Sequence, residues 1–236
     1  MRTGRGRRKA HLQGKLKRAV GGIFVVSSRA GGLRARIYDA AILPLTTSWY
    51  AAVLERVSDR ARILDVGIGT GGALTGNAAV LRRKQLHVTG IDIDADYVAR
   101  CRRRVAEEGL RGHVEPRLES VYDHHGGPYD AVYFSASFML LPDPQGALTH
   151  ICTMLTPEGV LYFTQTFENE RSPLVERMKP VLRALTTIDF GRVTYEDAFR
   201  RELREADVDL LEMERLGGAR SRSYQLCVAR PRPSRP

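Results

Sequence analysis

A glycine-rich string, DVGIGTGG at residues 65–72, limits the fold of this 236-residue chain more than any other segment. It follows a short apolar run at 61–66 and precedes residues 73–81, where apolar residues recur at helical spacing. This order predicts a strand, a tight turn and a helix. Glycines in such a turn can adopt positive φ and let a ligand approach the backbone. The string fits both G-x-G-x-G and G-x-G-x-x-G, so it does not identify the ligand by itself.

Strand and helix patterns alternate through the rest of the chain. We predict strands at 86–91, 113–118, 129–134 and 159–166, and helices at 95–109 and 145–155. Alternation of this kind predicts a mostly parallel sheet covered by helices on both faces. A further helix at 194–206, capped by Thr194, precedes two successive strands at 209–216 and 223–229. Two adjacent strands with a short connection form a hairpin, so one edge of the sheet should be antiparallel.

Two acidic residues narrow the choice of ligand. Asp92 ends the predicted second strand, 20 residues after Gly72, where a carboxylate can accept both hydroxyls of a ribose. This spacing predicts an adenosine-bearing cofactor. Asp65 stands two residues before Gly67, where it would repel a pyrophosphate at the helix N-terminus. A cofactor with a cationic amino group is therefore favoured over a dinucleotide.

Four strings together resemble a known family. ILDVGIGTGG, VTGIDID, YDAVYFSASFMLLPDP and LTPEGVLYFTQ, between about residues 63 and 166, are similar to the motifs of class I S-adenosylmethionine-dependent methyltransferases. The resemblance implies an α/β fold, a Rossmann-like three-layer α/β/α sandwich. Its seven-stranded, mostly parallel sheet would have the order 3-2-1-4-5-7-6, with strand 7 antiparallel. The implied cofactor is S-adenosyl-L-methionine, and the implied reaction is methyl transfer by in-line displacement.

The resemblance also implies a set of cofactor-binding residues. They are Asp65, Gly67, Ile68, Gly69, Gly71, Asp92, Ile93, Glu119, Ser120 and Ser135. Asp65 and the three glycines would line the methionine end, Asp92 would hold the ribose, and Ile93 would pack on the adenine. Glu119 and Ser120 follow strand three, where the family often has an Asp facing the adenine amino group, so Glu119 departs from the pattern. Ser135 and Ala136 would border the methyl group and the substrate. No catalytic base is assigned, and no metal site is predicted.

The net charge of +10 belongs to the ends of the chain. Residues 1–38 contain 11 Lys and Arg and no acid, and residues 220–236 contain five Arg and no acid. The middle, 39–219, has 21 basic against 27 acidic residues and is net acidic. We interpret 1–36 as a basic extension, 37–230 as the methyltransferase domain with a cap-like insertion at about 167–194, and 231–236 as a basic tail.

Three roles for the extension stay open: a transit peptide, a polyanion-binding arm or a disordered tail. Its longest apolar run, residues 23–26, is too short to span a membrane. The expected compartment is the cytoplasm by default, or the mitochondrion if residues 1–36 are a transit peptide. The three cysteines have neither disulfide nor metal-ligand spacing.

The sequence defines the methyl acceptor less well than the cofactor. An acidic body and an apolar insertion favour a small molecule, and the alternative is an RNA or protein methyltransferase that uses its basic termini to hold the substrate. Candidate acceptor-side residues follow strand five, among them Gln165 and Glu168. We expect Trp49 and Tyr50 to be plain core, and the pair His124 and His125 to lie in a solvated turn. A nicotinamide-dependent oxidoreductase and an inactive cofactor-binding protein are the remaining alternatives.

Overall fold

The computed structural model describes residues 31–168 and 195–233. The chain divides into two units after residue 38, and the contacts described below all lie within the second unit, residues 39–236. The helices are α1 (Gly31–Arg56), α2 (Gly72–Thr75), α3 (Ala78–Arg83), α4 (Ala95–Glu107), α5 (Pro144–Cys152) and α6 (Glu196–Glu205), with a 3-10 turn at Phe138–Leu140. The strands are β1 (Arg62–Val66), β2 (His87–Asp92), β3 (Val114–Leu118), β4 (Tyr129–Ser135), β5 (Leu155–Glu168), β6 (Val208–Gly218) and β7 (Arg222–Pro231).

The strands form one seven-stranded sheet in the order β3-β2-β1-β4-β5-β7-β6. β1 pairs in parallel with β2 and β4, and the parallel ladder continues to β3 on one side and β5 on the other. β7 is antiparallel to both β5 and β6. The predicted fold class, strand order and antiparallel strand 7 are therefore confirmed.

Apolar side chains bury both faces of the sheet. One cluster joins Phe134 and Phe163 of the sheet to Phe199 of α6 and to the apolar side of α5. The other joins Ile63 of β1 to Leu54 of α1 and to α3 and α4. Because each buried aliphatic or aromatic side chain contributes roughly 1.5–3 kcal/mol, these clusters supply most of the driving force for folding. The parallel strands lie between two helical layers, as their continuous apolar runs predict.

One predicted helix is divided. Residues 73–81 form two short helices, α2 and α3, separated at Gly76 and Asn77. The amide of Asn77 donates to the carbonyl of Ala73 at 2.9 Å and to that of Thr47, on α1, at 3.0 Å. A side chain that bonds to nearby carbonyls in this way competes with the helical hydrogen bonds. The predicted cap Thr194 lies outside the described residues, and Tyr195 precedes α6.

The described residues contain neither a candidate membrane span nor a candidate metal cluster. Within 31–168 and 195–233, no helix combines the length and the apolar content needed to cross a membrane. The same residues contain no group of three or more His, Cys, Asp or Glu side chains placed to hold a metal ion.

Candidate functional site

The glycine loop connects β1 to α2 at the carboxyl edge of the sheet. Gly67, Gly69 and Gly71 have φ of +81°, +58° and +70°, a region that side chains with a Cβ rarely adopt. A Cβ on Gly67 would lie 2.7 Å from Cβ of Ser137, and one on Gly71 would overlap the sulfur of Cys101. A Cβ on Gly69 would have no atom within 4 Å. Gly67 and Gly71 are therefore required by packing within the protein, and Gly69 lines a space that a ligand can enter.

Backbone contacts with β2 fix the shape of this loop. The N–H groups of Gly67 and Ile68 both donate to the carbonyl of Ile91, at 2.8 and 3.1 Å. Asp92 contributes as well, because its Oδ2 accepts from the N–H of Gly69 at 2.9 Å. Its Oδ1 accepts from the N–H of Asp94 at 2.9 Å. Burial raises the pKa of Asp92, and these backbone hydrogen bonds oppose the increase. Asp92 thus shapes the glycine loop, in addition to its predicted contact with a ribose.

Asp65 is a buried carboxylate with one bonded and one unbonded oxygen. Its Oδ2 accepts from the hydroxyl of Tyr50 at 2.7 Å, and its Oδ1 has no hydrogen bond within the described part of the chain. Burial raises the pKa of Asp65 to about 7, against the smaller lowering effect of the Tyr50 hydrogen bond. A buried acidic oxygen without a partner fits the cationic amino group of a cofactor, as the sequence predicted.

Tyr50 contacts the candidate site, which sequence reasoning missed. We expected it to be plain core, and its ring is indeed buried, 4.9 Å from that of Tyr133 in an edge-to-face pair. Its hydroxyl, however, belongs to the site, because it is the donor to Asp65. No motif connects residue 50 to residue 65. Only the packing of α1 against β1 brings them together.

The ends of β2 and β3 form an apolar surface beside Asp92. Ile93 is 62% exposed and Leu118 is 53% exposed, and Leu118 pairs with Asp92 in the parallel ladder. The N–H of Glu119 donates to the carbonyl of Asp92 at 3.0 Å. The structure therefore brings the predicted Ile93 and Glu119 to one place. Ser120 follows directly, and its hydroxyl accepts from the N–H of Tyr122 at 3.3 Å, so it stabilises the next turn.

The end of β4 packs against the glycine loop. Ser135 pairs with Thr164 of β5. Ala136 has a φ of +53°, and its N–H donates to the carbonyl of Thr164 at 2.7 Å. Ser137 donates its hydroxyl to the carbonyl of Val66 and lies against Gly67. A left-handed conformation at a residue other than glycine costs energy and is typical of a functional turn. This turn lies where the sequence placed the methyl group and the acceptor.

Two buried polar groups near this edge have no hydrogen-bond partner within the described residues. The amide of Gln165, on β5 one residue after Thr164, is 1% exposed and has neither a donor nor an acceptor partner. The indole nitrogen of Trp49 is likewise unpaired, although its ring packs 5.7 Å from that of Tyr224. Unpaired buried polar groups are uncommon in folded proteins and require an explanation.

The prediction of a solvated histidine pair is half wrong. His125 is exposed, whereas His124 is completely buried between the side chains of Glu119 and Tyr129. The polar and glycine residues around it suggested a surface turn. Instead, contacts with α5, such as that between His150 and the carbonyl of His124, fold the loop inward.

Comparison with known proteins agrees with this geometry. Residues 63–159 match the family model described as a methyltransferase domain. These residues contain the glycine loop, Asp92, Glu119 and the end of β4 described above. This match supports the prediction of a class I S-adenosylmethionine-dependent methyltransferase. The predicted cofactor, S-adenosyl-L-methionine, is the cofactor of that family.

One curated relative of this chain is the ubiquinone biosynthesis O-methyltransferase of Erwinia tasmaniensis. The two are 31% identical over 136 residues, which cover 57% of this chain and 54% of the relative. The chain thus spans about half the length of the curated relative it matches.

Solved structures show the same fold. The [4+2]-cyclase SpnF has a TM-score of 0.65 and 20% identity, with 78% of this chain and 81% of that chain covered. A geranyl diphosphate methyltransferase in complex with S-adenosylmethionine has a TM-score of 0.64 and 16% identity, covering 87% and 92%. At these identities the likeness concerns the fold alone.

Proposed function

We propose that this protein transfers the methyl group of S-adenosylmethionine to a small-molecule acceptor. The observation that carries the proposal is the arrangement at the carboxyl edge of the sheet. Three left-handed glycines, an unpaired buried carboxylate oxygen on Asp65 and the fixed carboxylate of Asp92 lie around one loop. When bound, the cofactor supplies a methyl group on a sulfonium, which a nucleophile can take by direct displacement.

The residues of this chain fit the parts of that cofactor. Asp65 offers Oδ1 to the amino group of the methionine moiety, and Gly69 leaves room for close approach to the backbone. Each oxygen of Asp92 accepts one backbone hydrogen bond and has a second lone pair available to the ribose hydroxyls. Ile93 offers an apolar surface to the adenine. The protein's main task is to orient the two reactants and exclude water.

The acceptor side lies next to Ser135 and Ala136. No described residue there forms a nucleophile and base pair, so we assign the protein a positioning role. A general base is needed only when the acceptor must lose a proton early in the reaction. The unpaired amide of Gln165 is the polar group that best fits a neutral hydroxyl or carbonyl of the acceptor.

The names of the relatives support a small molecule. One acts in ubiquinone biosynthesis, and another is a geranyl diphosphate methyltransferase. The RNA or protein alternative depends on the basic extension, and residues 1–30 lie outside the described residues. It therefore has support from the charge distribution alone.

Methyl-labelled S-adenosylmethionine, incubated with the protein and fractionated cell extract, tests the proposal. We expect label to enter a low-molecular-weight fraction, and to depend on the protein. Label in RNA, together with RNA affinity that falls steeply with salt, would instead support the alternative. Transfer to no fraction, with no binding of S-adenosylmethionine, would contradict the proposed function.

A further inference from the structure

Three hydrogen-bonded polar side chains connect the loop between β3 and β4, residues 119–128, to Tyr129 at the start of β4. Oε2 of Glu119 lies 2.9 Å from Nδ1 of His124, and Nε2 of His124 lies 2.8 Å from the hydroxyl of Tyr129. The side chain of His124 is fully buried, whereas that of Glu119 is 28% exposed. This hydrogen-bonded chain therefore runs from the protein interior to the surface at the end of β3.

One placement of hydrogen atoms satisfies all three groups. An ionised carboxylate only accepts, so Nδ1 of a neutral His124 ring donates to Glu119. Nε2 then accepts from the hydroxyl of Tyr129. Gly126 packs over this second bond, since a Cβ there would lie 2.5 Å from the Tyr129 hydroxyl and 2.6 Å from Nε2. The loop thus accommodates the hydrogen-bonded chain with no space for an additional side chain.

Helix α5 holds the loop in place. Nε2 of His150 lies 2.7 Å from the carbonyl oxygen of His124. The hydroxyl of Tyr122 donates to the carbonyl of Asp143 and accepts from the N–H of Asp143, both at 3.0 Å. Because Asp143 caps the start of α5 and His150 lies near its end, the loop is attached at both ends of that helix. His124 is therefore a fixed donor to Glu119.

Glu119 lies where an adenine ring would be recognised. Its N–H donates to the carbonyl of Asp92, and the exposed Ile93 and Leu118 adjoin it. His124 occupies Oε2, and Oε1 has no hydrogen bond within the described residues. A carboxylate oxygen beside an apolar surface suits a flat ring that carries an amino group, because the ring can pack while the amino group donates.

We propose that His124, itself held by Tyr129, is a positioning residue for adenine recognition. By binding Oε2 of Glu119, it fixes the carboxylate so that Oε1 accepts from the 6-amino group of the cofactor. This inference rests on the proposed function, because it assumes that an adenosine cofactor binds at this edge. Without the donor of His124, the longer glutamate side chain would sample several rotamers and recognise the amino group poorly.

The test compares two ligands that differ at that amino group. S-adenosylhomocysteine carries it, whereas S-inosylhomocysteine carries an oxygen that cannot donate and would repel Glu119. Calorimetry on the full chain should show that the wild type prefers the adenosyl ligand at least about tenfold. His124→Phe and Glu119→Ala should each lose most of this preference, and the double variant should lose no more than Glu119→Ala alone. His124→Gln, which retains a donor and an acceptor, should restore much of it.

Matched variants distinguish positioning from a general loss of stability. His87→Gln changes an exposed histidine at the amino end of β2 and should retain the full preference. If His124→Phe does not fold, His124→Asn replaces it, because the shorter amide cannot reach both partners. A ligand preference that stays at the wild-type value in His124→Phe or His124→Asn would overturn the inference.

Failure of the inference and failure of the proposed function give different results. Equal affinity of the wild type for both ligands would reject the role of His124 and Glu119 but leave the cofactor assignment intact. Absence of binding for both ligands would reject the cofactor assignment itself.

Discussion

At the scale of single residues, the hydroxyl of Tyr50 connects helix α1 to the cofactor loop. It donates to Asp65 and leaves one carboxylate oxygen available. An unpaired buried carboxylate lowers the stability of the unliganded protein. Binding of a cationic group at this site would offset that loss. Asp65, which sequence reasoning assigned to the cofactor site, is thus held by Tyr50, which sequence reasoning assigned to the core.

The raised pKa of Asp65 predicts that binding of the proposed cofactor depends on pH. Its pKa is about 7 in the folded protein, against roughly 3.9 for an unfolded aspartate. The folded state therefore holds the proton more tightly, so the contribution of Asp65 to the stability of the unliganded protein is fully present below about pH 4 and is lost as the pH rises through about 7. A cationic amino group prefers the ionised carboxylate. The affinity of the protein for a ligand with such an amino group should therefore increase as the pH rises toward 7.

Calorimetry with S-adenosylhomocysteine between pH 5.5 and 7.5 measures this effect. We expect the affinity of the wild type to increase several-fold across this range, and the affinity of Asp65→Asn to stay nearly constant. The matched control is Asp96→Asn, an exposed residue of α4, which should behave like the wild type. A wild-type affinity that is independent of pH would contradict a titrating Asp65 in the site.

Gln165 gives a second prediction at this scale. Its amide is buried without a hydrogen-bond partner among the described residues, so Gln165→Met should stabilise the unliganded protein by about 1–3 kcal/mol, because the cost of the unpaired amide disappears. Urea unfolding measures the difference. Gln225→Met, the cross-strand neighbour on β7, is the control and should change stability by less. A clear loss of stability in Gln165→Met would show that the amide has a partner in the folded protein.

At the scale of elements, two glycines of the loop should differ in their effects: Gly69 should affect mainly ligand binding, and Gly71 should affect mainly the stability of the fold. Gly69→Ala should cost only about 1–2 kcal/mol, since its positive φ is unfavourable but its Cβ meets no atom. Its affinity for S-adenosylhomocysteine should nevertheless decrease at least about tenfold. Gly71→Ala should destabilise the fold more strongly, because it adds a clash with Cys101. Thermal unfolding and calorimetry on both variants check this, and a Gly69→Ala protein that binds normally would contradict it.

The elements that sequence reasoning predicted are those with local signals. Buried parallel strands such as β1 and β4 appear as apolar runs, and α4 has apolar and charged residues on opposite faces, so periodicity alone locates them. The interruption between α2 and α3 depends on Asn77 bonding to Thr47, 30 residues away. Similarly, Tyr50 meets Asp65 and His124 meets Glu119 only after the chain has folded. Contacts of this kind leave no pattern in a single sequence.

At the scale of the whole molecule, the topology explains how distant residues form one site. Asp65, Asp92, Glu119 and Ser135 lie within one residue of the carboxyl ends of four neighbouring parallel strands, and these ends lie along one edge of the sheet. Ligands of such sheets bind at this edge. The net acidic middle of the chain agrees with a cationic sulfonium ligand, and the excess of basic residues lies at the two ends of the sequence.

Binding calorimetry on the full chain and on Asp92→Ala tests the central claim most directly. We predict that S-adenosylmethionine binds to the wild type, that a nicotinamide dinucleotide does not, and that Asp92→Ala weakens binding at least about tenfold. The last result is expected because this carboxylate accepts from the N–H of Gly69 and, in the proposed site, also binds the ribose. Asp96→Ala should bind like the wild type. Unchanged affinity in Asp92→Ala, or binding of the dinucleotide in place of S-adenosylmethionine, would contradict the cofactor assignment.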